Sequence, residues 1–223
     1  SHNSGASLVL DTKLPIANDS AKYIHTLGEV PCVRRGIKRW AVTQSDSIRR
    51  QLDIGVRYLD LRVSYPPSDV RISGTNFRLV HALYGPSIQE VLQQVIEFLE
   101  ENKREVVILD MNHLFNMDKS TYRALQNEIV AVLGKDQICP FMNVNLVSLD
   151  FMWKNGYRVI IFSSFAETNP SLFWPAAMIS SPWPNTNRVD VLLAFLDSSL
   201  EHRRYSPPGF FVTQGVCTPK KSD

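Results

Sequence analysis

The chain has 223 residues, 44% of them hydrophobic and 21% charged, which is the composition of one larger globular domain able to bury a core. A formal net charge of +2 is too small to argue for a nucleic-acid partner and gives only weak attraction to an anionic membrane. No apolar run approaches the roughly 20 residues of a membrane span, so any lipid would have to be met from the water side. Cys32, Cys139 and Cys217 are odd in number and widely spaced, which favours reduced thiols in an intracellular protein over a disulfide framework.

In chain order, residues 56–63 (VRYLDLRV) are rich in β-branched and aromatic residues and predict a strand, and residues 78–83 (RLVHAL) predict a shorter one. Residues 87–101 predict an amphipathic helix, with Ile88, Val91, Leu92, Val95, Ile96 and Leu99 at helical spacing. Residues 105–111 (EVVILDM) are nearly continuous apolar sequence, as in a strand buried on both faces. A helix is predicted over residues 119–133 with Gly134 as its stop. A buried strand follows at 158–163 (RVIIFS), a helix at 189–200 and a last strand at 209–214 (GFFVTQ). Strands alternating with crossover helices predict a parallel sheet. A doubly wound sheet and a (β/α) barrel both fit, although no Gly-rich phosphate loop follows any strand.

The predicted strand ends are unusually polar. Asp60 and Arg62 are two apart and share a face of one strand. His81 ends the next; Asp110, Asn112 and His113 end the third; Ser163 and Ser164 the fourth; Gln214 the last; His2, Asn3 and Ser4 open the chain. Each alone has a bland reading as a surface, capping or structural residue. Together, two histidines, an arginine and carboxylates at successive strand ends suit acid–base chemistry around an anion. His25 and His202 are read as loop or helix-end residues.

These residues carry a resemblance. Ser1 to Ser4 (SHNS) resembles the end of the P-G-S-H-[DN]-S motif that opens the X domain of phosphatidylinositol-specific phospholipases C. Residues 38–44 (KRWAVTQ), 55–63 (GVRYLDLRV), 80–85 with His81 and Gly85, 105–113 (EVVILDMNH), 172–175 (LFWP) and 181–186 (SPWPNT) are similar, in order, to segments of the animal X-domain-containing family. The resemblance implies an α/β fold, a distorted (β/α) TIM-type barrel, with residues 1–223 as one partial X domain. The family's first strand and its late strands, one of which is thought to hold a catalytic aspartate, have no counterpart in the sequence.

The resemblance further implies attack of the inositol 2-hydroxyl on the phosphodiester of a phosphatidylinositol-type lipid, with His2 as general base and His81 as general acid. Arg62 would face the phosphate oxygens where the calcium-dependent branch has an acid, so no metal and no cofactor are expected. Asn3 stands where bacterial relatives have Asp, and can orient an imidazole without carrying charge. Asp60 is expected to brace Arg62 or a histidine, and Asn112 and His113 to contact inositol hydroxyls. Trp174 and Trp183 are expected to pack, or else to touch the lipid interface. The expected partner is a phosphoinositide lipid at a membrane surface, with the protein cytoplasmic and peripheral. Two alternatives remain open: a catalytically inactive lipid- or protein-binding module of the same fold, and a glycerophosphodiester phosphodiesterase, for which the Asp60-Leu61-Arg62 strand lacks paired acids.

Overall fold

The computed structural model describes residues 1–7, 9–71, 75–165 and 169–218. Seven α-helices, α1 (Lys22–Leu27), α2 (Pro31–Ala41), α3 (Ile48–Asp53), α4 (Ile88–Glu101), α5 (Lys119–Leu133), α6 (Leu149–Lys154) and α7 (Val189–Arg203), accompany eight strands among the described residues. The strands are β1 (Tyr58–Ser64), β2 (Arg78–His81), β3 (Leu83–Ser87), β4 (Val107–Phe115), β5 (Val159–Ser163), β6 (Trp174–Pro175), β7 (Ile179–Ser180) and β8 (Phe210–Phe211). Six of them form one sheet in the order β3-β2-β1-β4-β5-β6, and β7 and β8 form a separate pair. The sheet is not closed into a barrel.

Period-2 alternation decides which way each strand faces. On β1, Leu59, Leu61 and Val63 are fully buried while Tyr58, Asp60 and Arg62 are half-buried. The first set joins Val107, Leu109 and Met111 of β4 and Ile161 of β5 in a core against Val91, Leu92 and Val95 of α4 and Leu125 and Ile129 of α5. The opposite face is apolar low down, where Tyr58, Ile108, Ile160 and Phe162 meet Trp174 and Phe210. It becomes polar toward the C-terminal ends of β1 and β4.

The expected all-parallel sheet needs one correction. β1, β4, β5 and β6 are parallel, but β2 runs antiparallel to β1 and β3 antiparallel to β2. Ala82 accounts for the second reversal: it adopts a left-handed φ of 59° and divides the predicted strand 78–83 into the β2–β3 hairpin. Its N–H is satisfied by both Asp19 carboxylate oxygens at 3.1 and 3.0 Å. The last predicted strand shrinks to Phe210–Phe211. β4 is longer than predicted, so Asn112 and His113 lie within it and not beyond it.

Candidate active site

Residues 1–4 run beside the first half of β1. The Asp60 N–H donates to Ser1 O at 3.2 Å, and the Ser4 N–H donates to Asp60 O at 2.8 Å. Gln51, nearly fully buried, fastens the segment by donating to Ser4 O at 2.9 Å and accepting from the Ser1 hydroxyl at 2.6 Å. Gln44 Nε2 donates to His2 O at 2.7 Å, and the Thr43 hydroxyl donates to Asn3 O at 3.0 Å. A Cβ added to Gly5 would stand 2.0 Å from Leu79 Cδ1, so glycine lets this turn lie on β2 without displacing the Leu79 side chain.

These contacts put His2 above β1. Its Nδ1 is 3.6 Å from Asp60 Oδ2, which also accepts the Asn3 N–H at 2.9 Å. His81 arrives differently from expectation. It closes an antiparallel strand, and the register that pairs Val63 with Leu79 sets it level with the middle of β1. Its Nδ1 donates to Ala41 O at 2.6 Å, and its Nε2 is 3.2 Å from Asn3 Nδ2.

A register shift completes the site. Asp60 pairs with Asp110, but Arg62 pairs with His113, so β4 carries one extra residue there. Such a bulge re-aims side chains. Asp60, Arg62, Asp110, Asn112 and His113 border one cavity of about 570 Å³ together with His2. Trp183, 51% exposed, and Gln214 border it from the far side. Four buried polar atoms here have no protein partner: Asn3 Oδ1, Arg62 Nε, Asp110 Oδ1 and Asn112 Oδ1. Unsatisfied buried groups are costly, and these four are clustered.

Burial shapes the electrostatics. It lowers the pKa of His2, opposed by Asp60 and reinforced by Arg62 and His81. His113 is lowered by burial and then by Arg62. Asp110, 2% exposed, is pushed up to about 6, chiefly by burial and also by Asp60, against the hydrogen bond donated by the Tyr58 hydroxyl. The site thus holds a neutral imidazole beside Asp60 and a carboxyl that titrates close to neutrality. Among the described residues, no group of three His, Cys, Asp or Glu side chains lies close enough to hold a metal ion.

Other expectations fall elsewhere. Ser163 turns toward the helices and accepts the buried Tyr122 hydroxyl at 2.8 Å, and Ser164 is exposed. Trp174 is a packing residue, fully buried with its Nε1 donating to Cys139 O at 3.0 Å. The residues that hold the site together, Thr43, Gln44, Gln51 and the Ala41 carbonyl, had no individual signal, although three of them lie in segment 38–44 that carried part of the resemblance. Tyr58 was read only as a strand residue.

A STAS domain profile matches residues 67–138, less than half of the chain. The curated relatives run its whole length. PI-PLC X domain-containing protein 2 of Mus musculus is 34% identical over 223 residues, covering 99% of this chain and 63% of that protein. The Homo sapiens protein 2 is 34% identical over 222 residues, covering 99% and 70%. PI-PLC X domain-containing protein 3 of Danio rerio is 32% identical over 226 residues, covering 100% and 68%. The chain therefore spans about two thirds of the length of these relatives. Among solved structures, the phosphatidylinositol-specific phospholipase C from Listeria monocytogenes aligns with a TM-score of 0.60 at 17% identity, over 79% of this chain and 64% of that one. A Staphylococcus aureus phosphatidylinositol-specific phospholipase C aligns with a TM-score of 0.60 at 13% identity, over 100% and 74%. The fold is shared with these enzymes.

Proposed function

The chain belongs to the PI-PLC X domain-containing protein family, and from that premise we propose that it is a phosphodiesterase acting on phosphatidylinositol-type lipids at a membrane surface. In this reading His2 takes the proton of the inositol 2-hydroxyl, whose oxygen forms a new bond to phosphorus. The bond from phosphorus to the glycerol oxygen breaks, and His81 supplies the proton to that oxygen. The products are an inositol cyclic phosphate and diacylglycerol. Two histidines suit this because an imidazole titrates near neutrality, at about 6.5 when unperturbed.

Arg62 is assigned to the non-bridging phosphate oxygens, where its fork of donors meets charge that builds in the transition state. The reaction then needs no metal. Asp60 orients His2 and the Asn3 backbone, and Asn112 and His113 are assigned to the inositol hydroxyls. The observation that carries the reading is the joining of His2, Asn3 and His81 through one amide, beside an Arg62 Nε that is buried without a protein partner. Such an arrangement is costly for a merely structural site and suits an anionic ligand.

The test follows inositol phosphate release from phosphatidylinositol vesicles by the complete protein. His2→Ala and His81→Ala should each lower turnover about 10²–10⁴-fold. Wild-type turnover by either variant would remove that residue from the mechanism. Absence of turnover in the wild type, with vesicle binding retained, would make the chain a lipid-binding module.

A further inference from the structure

The Asn3 side chain lies between the two histidines. Its Nδ2 is 3.1 Å from His2 Nε2 and 3.2 Å from His81 Nε2. An amide nitrogen offers two hydrogens and no lone pair, so one amino group serves both rings only when both present lone pairs at Nε2. For His81 the other nitrogen agrees: Nδ1 faces the Ala41 carbonyl at 2.6 Å, which only accepts, so the proton sits on Nδ1. For His2, Nδ1 faces Asp60 Oδ2 at 3.6 Å, the side on which a carboxylate favours the proton.

The rest of Asn3 is fixed. It is 3% exposed, at a left-handed φ of 42°, with its N–H given to Asp60 and its carbonyl held by Thr43. Only its Oδ1 is buried without a partner. Half a turn of the amide exchanges Oδ1 and Nδ2 and presents an acceptor to both imidazoles. The two ends of one amide thus match the two states of an imidazole Nε2.

We propose that Asn3 is a positioning residue that sets the proton at Nε2 of both histidines together: with its amino end toward them both rings are bases, and with its oxygen toward them both are donors. This rests on the functional reading above for the meaning of the states. The resting histidine pair holds two bases and no acid. His81 becomes the acid by taking a solvent proton on Nε2 as the amide turns and Oδ1 accepts the new N–H. The unlike pair that turnover requires forms when His2 leaves the amide for the inositol hydroxyl. An aspartate at this position, when ionised, only accepts, so it favours N–H at Nε2 and has no donor end. The charged and titratable groups facing His2 are Asp60, Arg62, His81 and the Ser1 amino group.

The experiment reads imidazole ¹⁵N shifts in the complete protein, labelled at histidine and free of lipid, at one mildly alkaline pH. His2→Gln and His81→Gln assign the signals. Asn3→Asp and Asn3→Gly both tolerate a left-handed backbone. Wild type should show an unprotonated Nε2 on both rings. In Asn3→Asp at least one Nε2 should shift to the protonated position. In Asn3→Gly, His2 should move toward a mixture of tautomers while His81, still held by Ala41, stays protonated on Nδ1. A protonated Nε2 on either ring of the wild type overturns the inference, and so does a His2 spectrum unchanged in both variants. The reading needs no turnover: a protein inactive on phosphatidylinositol with these tautomers overturns the catalytic assignment alone, and an active one without them overturns the role of Asn3 alone.

Discussion

Asp110 shows what a single residue reports about this site. Its carboxyl is buried beside Asp60, its register partner on the adjacent strand, with one oxygen held by Tyr58 and the other unpartnered. Its native pKa of about 6 lies above the ordinary 3.8, so the native state holds this proton more tightly than the unfolded chain does. The contribution to stability is therefore full below the ordinary value and is lost as pH rises through about 6. Asp110→Asn mimics the neutral form, so urea unfolding should show the variant gaining on wild type as pH is raised across that window. An equal stability difference at both ends would contradict the assignment. Asp110 also marks a limit of sequence reading. The strand-end pattern brought Asp60, Arg62, Asp110, Asn112 and His113 into view because alternation along a strand is legible. Burial without a partner depends on what covers a residue, and no spacing encodes that. His81 was legible only as a histidine at a strand end, because the turn at Ala82 that directs it carries no Gly, Asn or Asp to announce a left-handed backbone.

The elements that apolar periodicity could decide fold as predicted, and α7 forms where a helix was expected although Leu192 is its one buried residue. α4, α5, β1, β4 and β5 each bury a regular stripe or run. α5 stops at Gly134, whose φ is 77°. The short helices α1, α3 and α6 and the two-residue strands bury too few residues to leave a period, and their existence depends on tertiary partners. α4 also starts from a local signal: the Ser87 hydroxyl accepts the Glu90 N–H at 3.1 Å and the Glu90 carboxylate accepts the Ser87 N–H at 2.7 Å. Ser87→Ala should cost about 1 kcal/mol, read as a lower urea midpoint with an unchanged slope. Leu109, fully buried in central β4 in the core shared with α4 and α5, should cost about 2–5 kcal/mol as Leu109→Ala. A loss below that of Ser87→Ala would mean that β4 is not the centre of the core.

At the scale of the whole molecule, β3 and β6 end the sheet with no further strand among the described residues. Unpaired edges template association. Leu192 alone of α7 is buried, while Val189, Leu193 and Leu200 are 61%, 56% and 48% exposed. Residues 1–223 should accordingly self-associate in a concentration-dependent way in sedimentation velocity, and Leu193→Glu should reduce it; a monomer at every concentration would contradict this. At this scale the proposed function turns on one substitution of chemistry: by the resemblance, Arg62 stands where the calcium-dependent branch has an acid, and in the proposed mechanism its guanidinium fork takes the place of an ion. Arg62→Lys keeps the charge and loses the fork, so it should also lose activity. The most direct measurement is turnover of phosphatidylinositol vesicles by the complete protein in EDTA, for wild type and Arg62→Ala. Wild type should retain its activity on chelation, and Arg62→Ala should fall about 10²–10³-fold. Wild-type activity that vanishes in EDTA and returns with calcium, or an Arg62→Ala variant that turns over normally, would contradict the account.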